Sequence, residues 1–212
     1  MTAAVKICGL NSAETIAAAV ESGAAYVGFN FYPRSPRSVT PAVAAKLAAA
    51  IPATVAKVAL VVDADDRLLD EIVAALSPDI LQLHSHETPE RVAEIKTRHG
   101  CRVMKALSIA TEDDVAAARV FAPVADILMF DAKPPPDGLP GGNGLPFDWK
   151  LLKNAEWPLP WMLAGGLTPE NVAEAIRATG ATRIDVSSGV EDKPGLKSPD
   201  KIRRFLEASR QS

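Results

Sequence analysis

Short β-like runs alternate with amphipathic, alanine-rich stretches eight times along the chain, and this alternation is what most limits the folds open to it. The strand-like runs are Val5–Gly9, Tyr26–Phe31, Ala56–Val62, Ile80–Leu83, Arg102–Ala106, Ile127–Phe130, Trp161–Ala164 and Arg183–Val186. Helical patterns occupy Ser12–Ser22, Thr40–Ala50, Arg67–Leu76, Thr88–Arg98, Thr111–Phe121, a short piece near Phe147–Leu152, Thr168–Thr179 and Ser198–Arg210. Four of them open on a capping hydroxyl: Ser12, followed by Glu14, and Thr40, Thr88 and Thr168, each directly before a proline. Eight β-then-α units favour a closed (β/α)8 barrel of the α/β class over an open doubly wound sheet, which usually has five or six strands and often a glycine-rich first turn. Here that turn reads Cys-Gly-Leu-Asn, with no GxGxxG.

No low-complexity linker or composition break interrupts the pattern, so a single compact barrel domain spanning residues 1–212 is expected, at about 26 residues per unit. A barrel of this class usually takes ~250 residues. There is no room for a cap domain, and substrate selection must fall to strand ends and to the short loops after the second and sixth strands.

Lys and Arg total 23 against 26 Asp and Glu, a net charge of −3. No global positive field exists to hold nucleic acid or an anionic membrane, and any anion must be bound locally. Two cysteines, Cys8 and Cys101, without zinc-type spacing read as reduced thiols. The opening MTAAVKICGL lacks a signal-peptide pattern and the apolar runs are too short to span a bilayer, so the cytoplasm is the expected location. A small-molecule ligand is expected, and a monomer is favoured over a homodimer.

In a (β/α)8 barrel the chemistry sits at the C-terminal ends of the strands. Those ends carry Cys8-Gly9, the segment from Asn30 to Arg37, Asp63, His84, Ala106 to Ser108, Asp131-Ala132-Lys133, Gly165-Gly166 and Ser187-Ser188-Gly189. Gly165 and Gly166 lead into a helix, and Ser187, Ser188 and Gly189 follow the last strand. Loops after the seventh and eighth strands of this fold frequently build a phosphate site from backbone N–H groups, so a sugar phosphate is expected there. Simple tight turns are the competing reading.

Cys8 and Asp131 end the first and sixth strands and face each other across the mouth, where they can divide base and acid roles. A thiol of pKa ~8.5 needs about 2 kcal/mol of help to become a good thiolate near neutrality, part of which phosphate-binding dipoles can supply. A buried small hydrophobe is the alternative for Cys8, and a cap or turn residue the alternative for Asp131. Cys101 precedes its strand at the opposite rim and is expected to be structural. The two-residue period puts Lys6 on the face of Cys8 and Asp185 on the face of Ser187, which predicts a Lys6–Asp185 ion pair inside the barrel, within ~4 Å.

Six ordered blocks covering nearly the whole chain resemble the phosphoribosylanthranilate isomerase family of tryptophan biosynthesis: VKICGL (5–10), VGFNFYPRSPRSV (27–39), LQLH (81–84), FDAK…GGNG…FDW (130–149), LAGGLTPENV (163–172) and DVSSGVE…PGLK (185–197). The resemblance implies an Amadori rearrangement of N-(5′-phosphoribosyl)anthranilate, a phosphorylated aminosugar, without metal or organic cofactor. It implies Cys8 as general base, Asp131 as general acid and Arg37 as the partner of the anthranilate carboxylate, through a bidentate fork. Ser85 and His86 depart from the glycine that family members commonly carry after the histidine of the LQLH block. His84 either touches substrate or lines the mouth. The Pro- and Gly-rich stretch 133–144 reads as a mobile cover over the site, or as a plain surface loop.

Two other readings share part of these features. A pentose-phosphate epimerase would need clustered His and Asp ligands, of which three histidines, at 84, 86 and 99, make no obvious set, and an indole-glycerol-phosphate synthase is the related alternative; a lysine mechanism through Lys105 is possible in principle, but Lys105 fits a buried ion partner at least as well. A non-catalytic phosphosugar-binding barrel would keep the phosphate loops and have no use for Cys8 or Asp131.

Overall fold

The structure is a computed structural model that describes residues 2–135, 138, 141–144, 147–153 and 157–211. Eight parallel strands close into a barrel in chain order: β1 (Ala4–Cys8), β2 (Tyr26–Asn30), β3 (Ala56–Val61), β4 (Ile80–Leu83), β5 (Arg102–Ile109), β6 (Ile127–Ala132), β7 (Trp161–Leu163) and β8 (Arg183–Val186). Closure places β1 beside β8, with Lys6 in register with Asp185. Strands β5 and β6 run further than the sequence pattern suggests, pairing Ser108 with Asp131 and Ile109 with Ala132. Asp131 is therefore held inside a strand rather than on the loop beyond it.

The barrel is wrapped by α1 (Ala13–Glu21), α2 (Pro41–Ala48), α3 (Asp66–Leu76), α4 (Pro89–His99), α5 (Glu112–Ala117), α6 (Val172–Thr179) and α7 (Pro199–Ala208). Ser12, Thr40 and Thr88 cap as expected, each accepting from the backbone N–H three residues on at 3.3 Å. Thr168 does not cap a helix. It closes a turn in which its N–H donates to Asn171 Oδ1 at 2.8 Å and its hydroxyl accepts from Glu170 N at 3.2 Å, and α6 starts only at Val172. The short piece near 147–152 is a 3₁₀ turn, Trp149–Leu152, in place of a full helix. A hairpin that the sequence pattern does not reveal, β9 (Glu191–Lys193) and β10 (Leu196–Lys197), follows β8.

Two apolar layers result. Outward residues such as Val27, Phe29, Leu81, Leu83 and Phe130 pack against the helices, and Phe130 also meets the Trp157 and Trp161 rings at 4.7 and 5.8 Å. Inward residues Val58, Ile80, Met104, Ile127, Met129 and Met162 fill the barrel as a second cluster. Burying each such side chain contributes about 1.5–3 kcal/mol. Among them stand Lys6, Gln82 and Asp185, polar yet buried, while Lys105 is buried on the outward face of β5, in register with Leu83 and Leu128. Lys105 pairs with Glu87 at 2.7 Å, which is the buried ion-partner role. Cys101 lies just before β5, at the rim away from the strand C-termini, as expected. Among the described residues, no helix is long and apolar enough to cross a membrane.

Candidate active site

Cys8 closes β1 and is buried, and Gly28 on β2 is what leaves it room: a Cβ there would lie 3.2 Å from both Cys8 Sγ and Lys6 Cε. One layer below, Lys6 Nζ meets Asp185 Oδ1 at 2.9 Å, the ion pair the strand period predicts. Burial would lower the Lys6 pKa, but Asp185 and Cys8 outweigh it and hold the ammonium above its ordinary value. Burial also pushes the Cys8 thiol up, further helped by Asp185, while the Lys6 and Lys197 ammonium groups pull the other way and do not prevail. The help that a thiolate needs is therefore larger than for a free thiol. At rest Cys8 is more protonated than a free thiol, and the Lys6 and Lys197 cations beside it favour its thiolate.

Asp131 on β6 has Oδ1 accepting from Ala132 N–H at 2.8 Å and Oδ2 lying 3.3 Å from His84 Nε2. His84 follows β4, and Gln82, two residues before it on the inward face, places its amide Nε2 2.9 Å from His84 Nδ1. With that amide nitrogen donating, Nδ1 is the acceptor and the imidazole proton is on Nε2, facing Asp131. The Gln82–His84–Asp131 chain is absent from the sequence reading. Its only trace there is the spacing that puts Gln82 and His84 on one face of a strand.

Arg37 is buried, and its Nε and Nη2 grip Glu191 Oε1 and Oε2 at 2.7 and 2.8 Å. The fork expected to meet a substrate carboxylate thus holds a protein carboxylate. Glu191 also takes Lys197 Nζ at 2.6 Å, and Lys197 donates to Ser187 O at 2.9 Å and Ser187 Oγ at 3.1 Å. Burial would raise the Glu191 pKa, but the two cations hold it below its ordinary value. Glu191 and Lys197 went unnoticed as separate functional residues because each is unremarkable alone, and only the β9–β10 hairpin brings them to Arg37.

Cys8, Arg37, His84 and Asp131 line one cavity, roofed by Gly141 and Gly142. Asp131 and the same two glycines also line a second, together with Gly165, Gly166 and Ser188. Gly189 plays a different part: a Cβ there would fall 1.9 Å from Leu167 O, so its bare backbone lets the loops after β7 and β8 pack together. Among the described residues, the N–H groups of Gly165, Gly166, Ser188 and Gly189 have no hydrogen-bonded acceptor, which leaves them free to meet an anion.

The roof is tight. A Cβ on Gly141 would reach within 2.8 Å of His84 Cε1 and 2.9 Å of Asp131 Oδ2, and one on Gly142 within 2.7 Å of Arg37 Nη1. Each cavity holds about 30 Å³, the space of a water or two, with Gly141 and Gly142 set down against it. Residues 136, 137, 139 and 140 of the expected cover lie outside the described residues.

Residues 5–208 match the family of N-(5′-phosphoribosyl)anthranilate (PRA) isomerases. The protein named N-(5′-phosphoribosyl)anthranilate isomerase in Paracoccus denitrificans is 58% identical over 207 residues, 97% of this chain and 96% of that one. A phosphoribosyl anthranilate isomerase crystal structure from Thermotoga maritima superposes with a TM-score of 0.89 at 33% identity, covering 99% of this chain and all of the other. Another, in complex with reduced 1-(o-carboxyphenylamino)-1-deoxyribulose 5-phosphate, gives 0.84 at 30% identity, again over 99% of this chain. Barrel, strand-end cavity and near full-length identity agree, and the chain belongs to the N-(5′-phosphoribosyl)anthranilate isomerase family of intramolecular isomerases.

Proposed function

We propose that the chain converts N-(5′-phosphoribosyl)anthranilate to 1-(o-carboxyphenylamino)-1-deoxyribulose 5-phosphate, with Asp131 as general acid and Cys8 as general base. The observation that carries this reading is the shared cavity: an acid from β6 and a thiol from β1 face one space, with a cation and a histidine on its wall. The 5′-phosphate sits at the N–H groups of Gly165, Gly166, Ser188 and Gly189, which would explain how a chain of net charge −3 binds an anionic substrate. Arg37 faces the anthranilate carboxylate and His84 contacts the sugar near Asp131.

Asp131 gives a proton to the furanose ring oxygen, the bond from that oxygen to C1′ breaks, and the nitrogen lone pair forms a C1′ iminium. The iminium acidifies the C2′ proton, and Cys8 removes it to leave an enolamine, which becomes the ketone as C1′ takes up a proton and the 2′-hydroxyl gives its proton up. Burial keeps Cys8 neutral at rest, so its thiolate form depends on Lys6 and on the positive iminium arriving beside it. His84 Nε2, 3.3 Å from Asp131 Oδ2, is placed to steady the carboxyl as it loses and regains its proton.

The test follows the loss of substrate fluorescence in Cys8→Ala and Asp131→Asn. Loss of about 10²–10⁴-fold in kcat is expected for each if it performs proton transfer. Near wild-type turnover in both variants would overturn the assignment.

A further inference from the structure

The Arg37 guanidinium is already engaged on one edge. Nε and Nη2 are bound bidentately to Glu191 and Nη2 also donates to Gly142 O at 3.3 Å, leaving Nη1 without an acceptor among the described residues. A bidentate pair fixes the plane of a guanidinium as well as its position, because two parallel N–H···O bonds allow little rotation. Glu191 is in turn fixed from behind by Lys197, whose other two bonds go to Ser187 on the loop after β8. The hairpin carrying both is seated against the loop that carries Arg37: Gly195 approaches so closely that a Cβ there would lie 2.5 Å from Pro36 O.

We infer that Glu191 is the positioning residue for Arg37 and thereby sets selectivity for a carboxylated aromatic amine. Glu191 touches no reacting atom. It orients the guanidinium so that Nη1, the one nitrogen without an acceptor among the described residues, is presented at the cavity at a set distance from the phosphate loop. Lys197 bridges Glu191 to Ser187, so the two anionic ends of the substrate are gauged against one buried frame. A carboxylate on the ring meets Nη1, while an unsubstituted aniline ring leaves that nitrogen unpaired. The inference rests on the proposed meeting of Arg37 with the anthranilate carboxylate.

The test compares two ligands by calorimetry: reduced 1-(o-carboxyphenylamino)-1-deoxyribulose 5-phosphate and the same compound made from aniline, lacking the carboxylate. Neither requires turnover, so a wrong acid–base assignment leaves the comparison intact. Unmodified protein should prefer the carboxylated ligand by about 10–100-fold, the range of one charge-assisted contact. Arg37→Gln should erase the preference; if it does not, the carboxylate role of Arg37 fails. Glu191→Gln should shrink the preference to a few-fold while leaving the aniline ligand within twofold of its original Kd. An intact preference, or an equal loss for both ligands, overturns the inference. Should Glu191→Gln fail to fold, the double variant with Lys197→Met, which removes the other stranded charge, serves the same comparison. In the unmodified protein the Arg37 Nε–H, assigned through Arg37→Lys, should exchange slowly with solvent, and fast exchange overturns the inference whatever the variants do.

Discussion

Lys6 Nζ and Asp185 Oδ1 lie 2.9 Å apart in the floor of the barrel mouth, directly beneath Cys8. The two residues are 179 positions apart in sequence and meet only because β8 closes on β1. Lys6 is fully buried and Asp185 nearly so, so water screens the pair little. The pair joins barrel closure to the chemistry above it: the same ammonium that ties the last strand to the first also stands beside the thiol.

Lys6→Met should therefore have two effects. Removing one member of a buried pair strands the other, and the expected loss is about 3–5 kcal/mol in urea unfolding. The thiolate of Cys8 would also lose its main supporting charge and keep Asp185 as an opposing one, so iodoacetamide alkylation of Cys8 should need higher pH than in the unmodified protein. A stability loss with an unchanged alkylation profile would mean that Lys6 does not act on the thiol.

The raised thiol fixes a direction for pH dependence. Alkylation of Cys8 should climb with pH through a midpoint above the ordinary thiol value, and kcat/KM should have its basic-form limb on that side. In the unfolded chain the thiol gives up its proton first, at about pH 8.5. The contribution to stability is thus complete below that value and is lost as pH rises through the folded pKa. Cys101, also raised by burial, adds in the same direction. Cys8→Ala and Cys101→Ser should each flatten the alkaline decline, and only Cys8→Ala should lower kcat, by about 10²–10⁴-fold. Activity loss in Cys101→Ser would contradict the placement of that thiol at the far rim.

The architecture was legible in the sequence because each βα unit writes its own periodicity, and most caps because a hydroxyl ahead of proline is a local signal. Thr168 misled for the same reason: it has the local signal, but Asn171 accepts its N–H and closes a turn first. Lys6–Asp185 was legible since strand period and barrel closure together fix both faces. Glu191–Arg37 and His84–Asp131 were not, because in each pair one side chain comes from a loop, that of Arg37 or of His84, whose path no periodicity encodes. The direction of the Cys8 shift was not legible, because depth of burial, which outweighs the nearby charges, has no sequence signature.

Gly28→Ala tests the room made for the thiol. The new methyl would lie 3.2 Å from Cys8 Sγ, Cys8 Cα and Lys6 Cε, tighter than ordinary contact. Overpacking of this kind costs about 1–3 kcal/mol. The displaced side chain is Cys8 or Lys6, so a lowered Tm should come with slower Cys8 alkylation at fixed pH. A lowered Tm alone would place the adjustment in the β2 backbone.

Gly142→Ala probes the roof. Its φ of +70° is left-handed, which costs a side chain about 1–2 kcal/mol, and the added Cβ would press on Arg37 Nη1 at 2.7 Å. Both penalties apply only when the segment is down on Arg37, since a lifted loop is free to take another backbone conformation. The fold should therefore keep its Tm, while the closed state loses about tenfold or more in population for each 1.4 kcal/mol. If closure is what completes the site around a sugar phosphate, KM should rise by that factor, and quenching of the bound substrate by solvent should increase with it. Unchanged KM would show that residues 141–144 cover the cavity without taking part in binding; a lowered Tm with unchanged KM would show that the segment belongs to the fold instead of to the site.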